Sequence, residues 1–288
     1  GAAVASGMLP AAHATDSAGS IRIPASCNGL VGLKPTRGLN PYGPHRSDGN
    51  HGISHEHAVT RTVRDCAAIL DITAGPDVGA PFYASRPARL FRDLISETPW
   101  GLKIGFLATH FDGSRIDPEC AKAVQDTARL LSDLGHEVEE ASPDFDYQVL
   151  IDAMMTVLMG GLAPLADMRA EQRGAPIGED DLEPQTHSVI ARSRATSLAD
   201  YVGAMAIMNR EVRRLAAFFE TYDMLVTPTM TSPPPELGVL STDETDVDTF
   251  LGKLFGLVPY CGPFNATGQP AMSLPLRSEE HTSELQSL

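Results

Sequence analysis

Positive charge is scarce in this chain of 288 residues: 22 Lys and Arg stand against 37 Asp and Glu, for a net charge of −15. No basic run is longer than Arg213-Arg214. Phosphates are repelled by such a surface, which argues against nucleic acid as the direct ligand. Cysteine is scarce as well. Cys27, Cys66, Cys120 and Cys261 are widely spaced and form no Cys-x-x-Cys pair. That pattern fits neither a disulfide framework nor a zinc site, and suits reduced thiols in the cytoplasm. Long apolar runs are missing too. The longest, Ala153 to Ala166, is broken by Gly160-Gly161 and Pro164, so no membrane span is expected. No repeat or low-complexity linker divides the chain, which points to one domain. What remains is 42% hydrophobic, enough to bury one large α/β core.

Start and stop signals place several elements. Thr62-Val-Arg-Asp65 has the capping-box spacing, and the apolar Ala67, Leu70 and Ala74 follow before Gly75, which predicts a helix of roughly three turns. Leu102 to Leu107 reads as a buried strand. Asp117-Pro118 opens a helix with Ala121, Val124, Ala128, Leu131 and Leu134 on one face, closed by Gly135. Val138 falls in a second short strand, and this strand–helix–strand order predicts a sheet with packed helices. From Tyr147 to about Arg214 the pattern is mostly helical, interrupted by a Gly174-to-Gln185 loop. Tyr222 to Thr229 is a short strand that ends in a proline-rich loop.

The residues that carry chemistry lie near the beginning. Ala14-Thr-Asp-Ser-Ala-Gly-Ser20 sets a serine after small residues whose backbone N–H groups have room to converge on one point, as an oxyanion site requires. By itself such a tract also reads as a surface turn. It continues, however, through Ile21-Arg-Ile-Pro24 into Gly29-Leu-Val-Gly-Leu-Lys-Pro-Thr-Arg37. Together these residues resemble the signature of the amidase signature family of serine hydrolases. Thr60-Arg-Thr-Val-Arg-Asp65, the Tyr222–Thr229 strand and Phe264-Asn-Ala-Thr-Gly-Gln-Pro-Ala271 resemble the family too, so the likeness spans nearly all of residues 1–276.

The resemblance implies an α/β fold, one amidase-signature domain with a mixed β-sheet core flanked by helices. It implies hydrolysis of small-molecule amides with no cofactor and no metal, and often a homodimer. Ser20 would be the nucleophile. The backbone N–H groups of Ser17, Ala18 and Gly19, completed by that of Ser20, would form the oxyanion hole. Asp16 and Arg22 would hold the loop in shape without taking part in the chemistry. Where the family commonly has a second glycine this chain has Ala18, which requires that residue to avoid positive φ. The family's other two catalytic groups, a cis-peptide serine and a lysine, would lie before Gly1. The domain is therefore expected to be incomplete at both termini, covering residues 1–276. Residues 277–288 are read as a non-native tail resembling a translated sequencing adapter. Two other functions share the signature or the fold: a glutamine-hydrolysing subunit of a tRNA-dependent amidotransferase, and a catalytically dead binding module. The His51-to-Arg61 segment resembles the branch of cyclic and linear nylon-oligomer hydrolases.

Other candidates read more blandly. His51, His55 and His57 with Glu56 lack metal-site spacing and are expected in a polar loop before the capped helix. Glu179-Asp180-Asp181 is expected to be a solvated loop. Met154, Met155 and Met159 lie at helical spacing; core is the simpler reading, with a substrate pocket as the alternative. Lys34 is expected to be structural, since the family's corresponding lysine is not the base.

Overall fold

The structure is a computed structural model, and it describes residues 1–44 and 48–276. The expected tail, 277–288, lies outside the described residues. In chain order the elements are α1 (Ala2–Ala5), β1 (Ala11–Asp16), α2 (Arg22–Cys27), β2 (Val31–Lys34), β3 (His55–Thr60), α3 (Val63–Thr73) and α4 (Phe91–Leu94). They continue with β4 (Lys103–Phe106), α5 (Pro118–Asp133), β5 (Glu137–Glu140), α6 (Tyr147–Gly160), α7 (Leu162–Arg173), α8 (Pro184–Ala195) and α9 (Leu198–Ala217). The last are β6 (Met224–Val226), α10 (Val247–Leu257), α11 (Gly262–Thr267) and β7 (Ala271–Ser273).

The mixed α/β character comes from two sheets. An antiparallel sheet runs β1-β3-β2-β7, and a parallel one runs β5-β4-β6. The parallel sheet contains the expected strand–helix–strand unit, with Ile104 opposite Val138 in register and α5 as its crossover. Local chemistry starts the helices as read. Asp117 caps α5 by accepting from Glu119 N–H, with Pro118 in the first turn where no amide hydrogen is needed. Thr62 caps α3 by accepting from Asp65 N–H. Ser197 and Asp200 form a reciprocal capping box on α9.

One expectation fails. His55, Glu56 and His57 are not loop residues but the start of β3, the strand between β1 and β2. Six consecutive register pairs join β3 to β1, from Ala11 with Thr60 to Asp16 with His55. Polar, histidine-rich sequence has little strand preference of its own; pairing on both edges overrides it. His55 and His57 are consequently buried.

The main core is helical. Leu150, Ile151, Ala153, Met154 and Val157 of α6 pack against Ala204, Met208 and Leu215 of α9, with Ile53, Phe255 and Phe264 closing the cluster. Helices α6 and α7 together span 147–173, a stretch of 27 residues long and apolar enough by composition to cross a bilayer. That corrects the reading of the Ala153–Ala166 run as too broken. The buried residues of α6 nonetheless face protein neighbours in this core.

Candidate active site

The loop Ser17–Ile21 joins the end of β1 to the start of α2, and it is shaped from beneath. Asp16, the last residue of β1, is sealed from solvent. Its carboxylate accepts from Gly19 N–H at 2.7 Å and Ile21 N–H at 3.2 Å. It also accepts from Arg22 Nε at 2.9 Å and Nη2 at 2.8 Å. A fifth donor comes from far along the chain: Asn265 Nδ2, at 2.9 Å. Asn265 also donates to the Asp16 and Ile53 carbonyls and accepts from Arg22 Nη2. Arg22 Nη1 donates to the Cys261 carbonyl. Burial works to raise the Asp16 pKa, but the charge of Arg22 and these hydrogen bonds outweigh it and bring it to about 2.

The side chain of Ser20 stands at the surface above this layer. Gly19 has φ +131°, and a Cβ there would lie 2.4 Å from Ile23 Cδ1 and 2.8 Å from Cys261 Cβ. Only glycine fits. Among the described residues positive φ outside glycine occurs only at Asn50 and His51, so Ala18 sits in ordinary backbone and its methyl group is accommodated. Because Gly19 N–H is committed to Asp16, it is unavailable as an oxyanion donor, which corrects the expectation of a donor there. Among the described residues, nothing accepts from the N–H groups of Ser17, Ala18 or Ser20. Those three remain free to serve.

A second tether holds the loop from the side. Ser17 Oγ lies 2.5 Å from Ser54 Oγ, and Ser54 Oγ accepts from Asn50 Nδ2. The turn carrying Asn50 (φ 49°) and His51 (φ 57°) is left-handed at both residues, a conformation that surrounding contacts must maintain. Sequence reasoning missed Asn265 and Ser54 because their partners are distant in the chain, and Asn50 because its role is to hold Ser54. For Asn265, the Phe-Asn-Ala-Thr-Gly motif was a signal without a role.

Lys34 and His55 lie in the same buried region. Lys34 is wholly enclosed, with Nζ donating to the Pro35 carbonyl. Burial first, and then the charge of Arg22, push its pKa well below the usual lysine range. His55 is buried and neither ring nitrogen has a hydrogen-bond partner among the described residues. Burial lowers its pKa to about 3. Cys66, His57 and Asn40 form a thiol–imidazole–amide row, with Sγ to Nε2 3.4 Å and Nδ1 to the Asn40 amide 3.5 Å. Burial pushes the thiol up to about 11 and the imidazole down to about 4. Both members are neutral and enclosed, so the row holds no reactive thiolate.

The three methionines separate. Met154 is core, and a Cβ on Gly262 would lie 3.0 Å from its Cε. Met155 and Met159 line a cleft between α6 and α10. His51 is exposed against Tyr201, apart from the buried His55 and His57. Glu179–Asp181 forms a short turn in which Asp181 pairs with Arg173 at 2.7 Å.

The Amidase family profile matches residues 1–283. The chain belongs to the amidase signature family. It is 36% identical over 287 residues to a 6-aminohexanoate-cyclic-dimer hydrolase of Paenarthrobacter ureafaciens, covering 96% of this chain and 58% of that protein. The solved structure of a 6-aminohexanoate cyclic dimer hydrolase superposes with a TM-score of 0.87 at 35% identity, covering 95% of this chain and 59% of that one. A glutamyl-tRNA(Gln) amidotransferase subunit from Thermotoga maritima is similar at TM-score 0.71 and 25% identity, covering 95% and 56%. The chain thus spans a little under three fifths of the length of these relatives.

Proposed function

We propose that this chain carries the nucleophile of an amide hydrolase, with Ser20 forming an acyl-enzyme. The observation behind the reading is the exposed Ser20 on a loop fixed by the buried Asp16–Arg22–Asn265 cluster, with three loop amides unclaimed. Oγ of Ser20 attacks the amide carbonyl, and its proton passes through a base to the departing nitrogen as the C–N bond breaks. The N–H groups of Ser17, Ala18 and Ser20 receive the developing oxyanion. Water then cleaves the ester and restores the hydroxyl. None of the chain's four lysines is offered to Ser20: Lys34 is sealed in, while Lys103, Lys122 and Lys253 pair with surface carboxylates. No lysine of this sequence is therefore proposed as the base, and the chain alone is expected to be inactive.

Small aliphatic or cyclic amides are the proposed substrates, supported by the greater likeness to the cyclic-dimer hydrolase than to the amidotransferase. A cytoplasmic location is proposed from the four free cysteines. The test is a fusion of the chain behind the upstream segment of the cyclic-dimer hydrolase. That fusion should gain amide turnover and should be labelled at Ser20 by a fluorophosphonate. Ser20→Ala should remove the label and lower turnover by at least about a thousandfold. Label on another residue, or turnover that survives Ser20→Ala, would overturn the reading. Turnover by the unfused chain would overturn the exclusion of these lysines as the base.

A further inference from the structure

Two hydroxyl groups meet where the left-handed turn touches the nucleophile loop: Ser54 Oγ and Ser17 Oγ, 2.5 Å apart. Two hydroxyls hold two hydrogens, and the single bond between them uses only one. Asn50 Nδ2 takes a second place on Ser54 Oγ at 2.8 Å, and an amide nitrogen can only donate. Neither oxygen has a further partner among the described residues. One hydroxyl hydrogen is therefore left without an acceptor in the protein. Burial decides which one. Ser54 is buried, whereas Ser17 is half-buried. An unpaired donor costs most where water cannot reach it, so the Ser54 hydrogen goes to Ser17 and the free hydrogen belongs to Ser17. Donation runs one way, from Asn50 to Ser54 to Ser17, and each link polarises the next.

The turn is pinned from several sides in the shape that keeps this order. Ile53 is fully enclosed in the helical core, and its carbonyl accepts from Asn265 Nδ2 at 3.1 Å. Arg37 Nε donates to the Gly52 carbonyl at 2.7 Å, and Ser54 N–H returns to the Gly49 carbonyl at 2.9 Å. A Cβ on Gly49 would lie 2.4 Å from Tyr42 Cζ, so the turn also presses on the Tyr42 ring. Left-handed backbone at two successive side-chain-bearing residues persists only where the surroundings over-determine it, and such strain gathers at working sites. Here its product is a hydroxyl held by its oxygen, with its hydrogen unclaimed. The free N–H of the same residue is separated from that oxygen only by Cα and Cβ, so one acceptor can face both.

We propose that the Ser17 hydroxyl donates a hydrogen bond to the carbonyl oxygen of the substrate, beside the N–H groups of Ser17, Ala18 and Ser20, with Ser54 and Asn50 as positioning residues behind it. It takes the place of the Gly19 N–H, which Asp16 has claimed. The hydroxyl keeps its proton throughout; its bond strengthens as negative charge grows on the carbonyl oxygen. The catalytic use of this hydroxyl rests on the amide-hydrolase reading, whereas the direction of the relay does not.

Neutron diffraction from deuterium-exchanged crystals of the unfused chain locates both hydroxyl deuterons. The Ser54 deuteron is expected on the line to Ser17 Oγ, with the Ser17 deuteron turned away from Ser54. A Ser17 deuteron bonded to Ser54 Oγ would overturn the proposal. In the fusion, Ser17→Ala should lower kcat at least about tenfold with KM within about twofold, and Ser17→Thr, which keeps the hydroxyl, should recover most of the loss. Asn50→Asp separates donation from mere tethering. Both side chains tolerate left-handed backbone, but a carboxylate only accepts. Ser54 would then turn its hydrogen to the carboxylate and Ser17 its own to Ser54, leaving the tether whole and no hydrogen free. The urea midpoint should hold while kcat falls as far as in Ser17→Ala, and the two changes together should cost no more than either alone. Additive losses, or wild-type kcat in Ser17→Ala, would overturn the proposal. A fusion unlabelled at Ser20 would overturn the amide-hydrolase reading and the catalytic use of this hydroxyl with it, while the deuteron positions judge the relay separately.

Discussion

Asp16 and His55 face each other in register across β1 and β3, and both are shut off from water. Their company differs. Asp16 receives hydrogen bonds from two backbone amides, a guanidinium and a carboxamide. The ring nitrogens of His55 have no partner among the described residues. Burial raises the cost of charge at both sites, yet one group stays ionised to about pH 2 and the other is held neutral to about pH 3. Enclosure alone therefore does not decide the state of a buried group; its partners do. The fully partnered group is the one beneath the loop that carries Ser20.

The largest test removes the company of Asp16. Arg22→Met leaves a buried carboxylate without its cation and should destabilise the fold by about 3–5 kcal/mol, read from urea unfolding. It should also reverse part of the pH dependence. With Arg22 present, the native pKa of Asp16 is depressed below 3.8, so its stabilisation is present above pH 3.8 and disappears as the pH falls through about 2. Without Arg22, burial dominates and stability should instead fall as the pH rises past 3.8. A variant that unfolds at the wild-type denaturant concentration would dismiss the cluster as the loop's anchor.

Asn265→Ala should cost about 2 kcal/mol, because the Asp16 and Ile53 carbonyls and Arg22 each lose a buried partner. His55→Val works in the opposite direction. Removing an unpartnered imidazole should raise stability by about 1 kcal/mol. The unfolded histidine titrates near 6.5 and the native one near 3, so the unfolded state alone takes up a proton in that window. Stability should fall by about 1.4 kcal/mol for each pH unit below about 6.5 on this account. His55→Val should roughly halve the combined histidine slope between about pH 6 and 4, leaving the equal share from His57, whose native value is about 4. An unchanged slope would show that His55 has a hydrogen-bonding partner in solution. Thr62→Ala supplies the scale for an exposed bond. Losing the cap on α3 should cost about 1 kcal/mol with no change in pH dependence.

The helix starts at Thr62 and Asp117, the parallel β4–α5–β5 unit and the position of Ser20 were legible in the sequence. Each rests on residues within a few places of one another, or on a contiguous motif. The strand at His55 was not, because its pattern is polar and its stability comes from pairing with β1 and β2, segments well upstream in the chain. The donor set of the loop was legible only in part. A tract of small residues shows that amides can converge, but not that Asp16 turns back to occupy the one on Gly19.

The amino-acid order alone settled which serine ends the small-residue tract, which glycine the turn demands, and where the capped helices begin, since these follow from local backbone sterics and short-range hydrogen bonding. Tertiary structure alone brought Asn265 across nearly the whole chain to Asp16, enclosed Lys34 and His55, and opened a space between α6 and α10. Those outcomes depend on which surfaces lose water together, and no local pattern encodes that.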